Sequence, residues 1–250
     1  MSALLGNKVV VVTAAAGTGI GFATARRCME EGATVVISDY HARRLGEAAD
    51  RLEREFGSRP LTLGCDVTNQ EHVDGLIAGA LDAHGRIDVL VNNAGLGGTA
   101  DVVDMEDAAW DRVIDVTLTA TMRCMRAALP SMIANKGGVI VNNSSVLAWR
   151  AQKGQAHYAA AKAGVNALTR CAALEVAEHG VRINAVAPSL AMHAFLHKVT
   201  TPELLAELEG REAFGRGATP TEIANIIVFL ASDLSSYMTG EIVSASSQHP

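Results

Sequence analysis

The chain has 250 residues, 49% of them hydrophobic and 19% charged, which suits one large α/β core and excludes a disordered chain. A net charge of -6 with no basic run gives no footing for nucleic acid or an anionic membrane. No stretch reaches the roughly 18 uninterrupted apolar residues that span a bilayer, and the start lacks the cationic-then-apolar order of a signal peptide.

In chain order, "KVVVVTA" (8–14) predicts a buried strand, followed by a helix from about Gly19 to Glu31. "ATVVISD" (33–39) is a second strand, and the charged "HARRLGEAADRLEREFG" after it reads as a helix. "PLTLGCD" (60–66), "RIDVLVNNAG" (86–95), "GGVIVNNSS" (137–145), "VRINAVAP" (181–188) and "GEIVSAS" (240–246) supply five more strands. Continuous rather than alternating apolarity marks strands covered on both faces, so the expected fold is a doubly wound parallel sheet of about seven strands in one domain. Cys28, Cys65, Cys124 and Cys171 show neither CxxC nor paired-histidine spacing, which fits a reducing cytosol and argues against a zinc site.

Ligands of such sheets sit beyond the carboxyl ends of the strands. There "VVTAAAGTGIG" (11–21) places Gly17, Gly19 and Gly21 at a helix start, where free N–H groups and the helix dipole receive a phosphate. Asp39 follows Gly19 by twenty residues, at the end of the second strand. Its carboxylate suits a ribose diol and repels a 2′-phosphate, favouring NAD over NADP, although Arg43 and Arg44 stand near and the same Asp also suits a helix N-cap.

Tyr158 and Lys162 are four residues apart and share a helix face. Lowering a phenol by about three pKa units takes roughly 4 kcal/mol, which one ammonium about 4 Å away supplies at an effective dielectric of about 20. That pair therefore predicts a general acid/base. Ser145 stands thirteen residues earlier, with its hydroxyl available to hold a substrate oxygen, and Ser144 is the competing turn-former.

"GTGIG", "CDVT" (65–68), "NNAG" (92–95), Ser145, "YAAAK" and "INAVAP" come in the order of the short-chain dehydrogenase/reductase family, and the resemblance covers practically the whole chain. It implies a single-domain Rossmann fold, a nicotinamide cofactor and a homotetramer, the Ala-rich helix of 156–177 packing between subunits. By that likeness Tyr158 is the acid/base, Lys162 tunes it and holds the nicotinamide ribose, and Ser145 positions the alcohol or carbonyl. Gly17, Gly19 and Ile20 line the cofactor, Asp66 touches the adenine and Asn93 the ribose side. Ala15, Thr18, Asp39, Tyr40, Val67, Ala94, Gly95, Pro188, Ser189 and Leu190 complete the implied cofactor set.

Four departures stand out. Ala14-Ala15 replaces Thr-Gly, so Ala15 must keep a negative φ. Thr117 replaces a relay Asn, so the relay needs a hydroxyl or a water. Pro188-Ser189 replaces Pro-Gly, with His193 in place of Thr, and the chain closes on "ASSQHP". These changes raise a non-catalytic nucleotide-binding regulator as another class, countered by the intact Ser145, Tyr158 and Lys162. A 3-oxoacyl thioester reductase is the alternative within enzymes, and Asp39 counts against its NADPH-driven form.

The alanine loop, "WRAQ", "HYAAAK", "SLAMHAFL" and "SSQHP" further resemble a subgroup of the family that acts on a bicyclic CoA thioester from steroid-ring degradation. Segment 189–210 is the expected lid, with Phe195, Leu196, Val199, Leu204, Leu205 and Leu208 as its apolar faces. Arg150, Lys153, His193, His197 and Lys198 are available to phosphates of a CoA ester.

Overall fold

β-Branched side chains suit a pleated surface covered on both faces, and the run of four valines at Val9–Val12 forms the first strand for that reason. A computed structural model describes residues 3–192, 196 and 201–247. Its strands are β1 (Val9–Val12), β2 (Thr34–Asp39), β3 (Leu61–Gly64), β4 (Val89–Asn92), β5 (Gly138–Asn143), β6 (Val181–Pro188) and β7 (Ile242–Ala245). All pair in parallel in the order β3-β2-β1-β4-β5-β6-β7. The order reverses between β1 and β4, where Val10 lies beside Val89 and Val12 beside Val91. A crevice opens at such a switch point.

The helices are α1 (Ile20–Glu30), α2 (Ala42–Phe56), α3 (Gln70–His84), α4 (Asp107–Ile114), α5 (Ala120–Ala134), α6 (Ala156–Val176), α7 (Pro202–Arg211) and α8 (Pro220–Ala231). Alternate strand residues feed two cores. Val10, Val12, Val35 and Ile37 pack with Phe22, Leu45, Leu52, Ile223 and Ile227 of α1, α2 and α8. Val9, Val11, Leu90 and Ile140 pack on the other face with Leu76, Met125, Met132 and Ala173 of α3, α5 and α6. The doubly wound sheet expected from the sequence is the observed one. None of the described helices is long and apolar enough to cross a membrane.

Caps set the boundaries. Asn69 accepts from the Glu71 and His72 amides at the start of α3, and Thr219 forms a reciprocal box with Glu222 at the start of α8. Beyond β6, the Met192 and Ala218 amides donate to Ala218 and Leu190 carbonyls, fastening 190–192 to the approach to α8. Within α7, Leu205 is buried and Leu204 exposed. Of the expected lid and rim residues, His193, Phe195, His197, Lys198 and Val199 lie outside the described residues, as does the closing 248–250.

Candidate active site

β1 ends in a knot tied by Thr13. Its hydroxyl accepts from the Asn93 and Ala94 amides at 2.9 and 3.2 Å and donates to the Val91 carbonyl at 3.3 Å. Asn93 reinforces the junction, its Nδ2 donating to the Thr13 and Ala14 carbonyls at 3.1 Å each while Oδ1 accepts from Asn143 Nδ2. The Asn93 side chain is therefore occupied in shaping the loop. Its main-chain amide is engaged as well, by the Thr13 hydroxyl.

Ala15 meets the condition its methyl imposes. It is fully buried, donates its amide to the Ser38 carbonyl at 2.9 Å and is not among the positive-φ residues. The left-handed turn falls one residue earlier, on Ala14 at φ +50°, and again on Gly17 at φ +104°. The three loop glycines serve three different needs. Gly17 supplies a backbone angle that L side chains rarely adopt. Nothing lies within 4 Å of where a Cβ on Gly19 would stand, so its outer side is open to a ligand. A Cβ on Gly21 would sit 2.4 Å from both the Ala14 carbonyl oxygen and Asn93 Nδ2, so the loop closes onto α1 only because that atom is missing.

Helix α1 starts at Ile20 with Gly19 as an N-cap that offers no side chain. The Gly17, Thr18 and Gly19 amides meet no acceptor among the described residues. Orphan amides, the positive end of a helix dipole and an unobstructed approach fit the pyrophosphate of a dinucleotide.

At the end of β2, Asp39 is 6% exposed and its Oδ1 accepts from the His41 amide at 2.9 Å. The N-cap of α2 is His41, so Asp39 closes a turn before the helix instead of capping it. Arg44 approaches Asp39 loosely at 4.0 Å and lies 5.8 Å from the centre of the exposed Tyr40 ring. After β3, Thr68 donates its hydroxyl and amide to Asp66 Oδ1 at 2.7 and 3.0 Å, and those bonds hold the Asp66 carboxyl below its ordinary range. Val67 beside it is buried. Gly95 leaves room for Lys162, whose Nζ would stand 3.4 Å from a Cβ there. Pro188 ends β6, and the Ser189 and Leu190 amides donate to the Ala245 carbonyl and to Glu212 Oε1.

The two serines after β5 separate cleanly. Ser144 Oγ donates to Asn166 Oδ1 at 2.5 Å and is buried in packing. Ser145 caps a single 3₁₀ turn by accepting from the Leu147 amide at 3.2 Å, and it stands close enough to Tyr158 to favour the phenolate. Lys162, one helical turn beyond Tyr158 on α6, is 2% exposed. Its Nζ donates to the Asn143 carbonyl at 2.5 Å and lies 5.5 Å from the centre of the Tyr158 ring. The sequence thus brings Ser145, Tyr158 and Lys162 together at the carboxyl end of the sheet.

The structure bears on two further expectations. Burial pushes the Tyr158 phenol up to about 12, with the Ser145 bond opposing it, and pushes the Lys162 ammonium down to about 8. Desolvation, not the Lys162 charge, therefore sets the direction for the phenol. Thr117, buried within a π-helical turn over Asp115–Thr119, spends its hydroxyl on Leu96: Oγ1 accepts from that amide and donates to that carbonyl, both at 3.0 Å. In this arrangement its hydroxyl is engaged by the Leu96 backbone and not by Lys162.

Thr13 and Asn143 carry no motif that assigns them these roles. Thr13 was visible only as the end of an apolar run, and the Asn143 contribution is a main-chain carbonyl that any residue supplies.

A family profile described as enoyl-(acyl carrier protein) reductase matches residues 14–247. The chain is 62% identical over 248 residues to the Mycobacterium tuberculosis protein named (5R,7aS)-5-hydroxy-7a-methyl-1-oxo-2,3,5,6,7,7a-hexahydro-1H-indene-carboxyl-CoA reductase, covering 99% of this chain and 95% of that one. It is 42% identical to the cis-4-hydroxycyclohexanecarboxylate dehydrogenase of Sinomonas cyclohexanicum, covering 97% and 96%. The crystal structure of a short chain dehydrogenase from Mycobacterium smegmatis superimposes with a TM-score of 0.88 at 59% identity, covering 99% and 95%.

Proposed function

This chain belongs to the short-chain dehydrogenase/reductase family and is an oxidoreductase of secondary alcohols and ketones, and we propose that its substrate is a bulky bicyclic CoA thioester of steroid-ring degradation. The observation that carries the chemistry is the Lys162 ammonium 5.5 Å from the centre of the Tyr158 ring on one face of α6, with Ser145 close to the phenol. The names of two relatives support the substrate class, since both act on an alcohol or ketone of a carbon ring and one acts on a CoA ester.

A bound nicotinamide cofactor would supply the hydride acceptor or donor for the carbinol carbon. The orphan amides of Gly17, Thr18 and Gly19 hold the pyrophosphate, with Ala15 and Ile20 lining the turn. Asp39 and Tyr40 hold the adenosine ribose, Asp66 and Val67 the adenine, and Asn93, Ala94 and Gly95 the central ribose side. Pro188, Ser189 and Leu190 border the nicotinamide. NAD is the proposed cofactor, because a nearly buried carboxylate at Asp39 repels a 2′-phosphate.

In alcohol oxidation Tyr158 removes the hydroxyl proton as phenolate, Ser145 holds the same oxygen, and Lys162 stabilises the phenolate. In ketone reduction Tyr158 returns the proton. The lid proposed over the substrate includes α7, where Leu205 is buried. The assembly is a homotetramer, supported by exposed Val102, Val103 and Leu174 beside α4 and on α6, and by exposed Phe214, Leu234 and Tyr237 elsewhere.

The test is turnover of a bicyclic hydroxy CoA thioester against open-chain 3-hydroxyacyl thioesters, each with NAD and NADP. The bicyclic substrate with NAD is expected to be preferred. Equal or better turnover of open-chain thioesters with NADP would replace this substrate class with that of a 3-oxoacyl reductase.

A further inference from the structure

Arg51 lies on α2, thirty-four residues from the glycine loop, and no pattern in the sequence connects them. In the fold its Nη1 donates to the Gly17 carbonyl at 3.0 Å. Its guanidinium lies 4.1 Å from the centre of the Phe22 ring, in the first turn of α1. Arginines around it pair with carboxylates, Arg43 with Glu47 and Arg59 with Asp50 and Glu53. Among the described residues, Arg51 has no carboxylate partner.

We infer that Arg51 is a positioning residue of the phosphate loop, latching the peptide between Gly17 and Thr18 so that the Thr18 amide faces the incoming pyrophosphate. A trans peptide points its C=O and N–H in opposite directions. Holding the Gly17 oxygen toward α2 therefore turns the Thr18 N–H away from α2, and that amide has no acceptor among the described residues. The need for a latch is local. Gly17 stands at φ +104° with nothing within 4 Å of its missing side chain, so neither a side chain nor close packing fixes this peptide. A planar guanidinium stacked on Phe22 meets a carbonyl in a fixed direction, which a lysine ammonium on a flexible stem does not.

This role rests on the dinucleotide site proposed above, and the test separates the two. Binding of ADP-ribose and of adenosine is measured by calorimetry for the wild type, Arg51→Met and Arg51→Lys, at low and high salt. Hydrogen exchange of the 13–22 segment is followed without ligand. For Arg51→Met the expected result is about tenfold weaker ADP-ribose binding, the scale of one hydrogen bond to a charged group. Adenosine affinity should be unchanged and the loop should exchange faster. The deficit should persist at high salt, and Arg51→Lys should not repair it.

Unchanged ADP-ribose affinity would overturn the latch, and so would an equal loss for adenosine. So would a deficit that salt or Arg51→Lys removes while exchange stays the same, since a long-range charge would then be the cause. A wild type that binds no ADP-ribose would overturn the dinucleotide site itself, and the latch with it.

Discussion

Replacing Gly21 by Ala puts one methyl where the loop, β4 and α1 meet. The new Cβ would stand 2.4 Å from the Ala14 carbonyl oxygen, 2.4 Å from Asn93 Nδ2 and 3.1 Å from the Ala14 carbonyl carbon. Ordinary contact begins near 3.4 Å, so something must yield by about 1 Å. One obstacle is backbone, and the other is an amide already pinned to the Thr13 and Ala14 carbonyls.

Moving Asn93 aside loses two hydrogen bonds, about 1 kcal/mol each. Forcing an atom into a filled site adds about 1–3 kcal/mol. Alanine's better helix propensity, in the first turn of α1, returns at most about 1 kcal/mol. The net expectation is a destabilisation of about 2–4 kcal/mol, a large share of a typical margin of about 5–15 kcal/mol. Urea unfolding followed by circular dichroism measures it, and NAD binding should weaken in parallel because the amides move with Ala14. A Gly21→Ala protein within about 0.5 kcal/mol of wild type would show that the loop opens freely and would refute the packing account.

Ala14→Gly should act in the opposite sense. Its φ of +50° costs an L residue about 1 kcal/mol, so thermal unfolding should show equal or greater stability, and a loss above about 1 kcal/mol would contradict the assigned turn. In the proposed mechanism alcohol oxidation needs the Tyr158 phenolate, and burial raises that phenol up to about 12, so the oxidative rate should climb with pH. Lys162 titrates near 8, so the climb should slacken above that pH as its charge is lost, and Lys162→Met should move the whole rise to higher pH. A pH-independent chemical step would remove Tyr158 from the proton transfer. Asp39→Ser should raise NADP use relative to NAD by at least about tenfold, consistent with removing one charge close to the 2′ position; an unchanged ratio would free Asp39 from that role.

The strands were legible because parallel strands buried on both faces read as unbroken apolar runs, as "VVVV" and "VLVN" do at β1 and β4. Tyr158 and Lys162 were legible because i,i+4 spacing on a helix is a short-range property. What the sequence left open depended on distance. Ser144 and Ser145 are equivalent as letters and separate only once Asn166 claims one and Tyr158 the other. Thr117 looked available as a relay until the fold set the Leu96 backbone against its hydroxyl. Ala14, at positive φ, accepts at its carbonyl from Asn93, a contact across seventy-nine residues that no local pattern announces. The balance between burial and charge at Tyr158 likewise depends on how deeply α6 seats both groups.

The central claim, that Tyr158 moves the proton in a nicotinamide-linked alcohol oxidation, is tested most directly by measuring NAD binding and turnover side by side in the wild type and Tyr158→Phe. The account predicts NAD affinity within about twofold and formation of reduced nicotinamide lower by about 10²–10⁴-fold, the range typical of a lost general base. A Tyr158→Phe protein that binds NAD and still oxidises the bicyclic CoA thioester at close to the wild-type rate would contradict it.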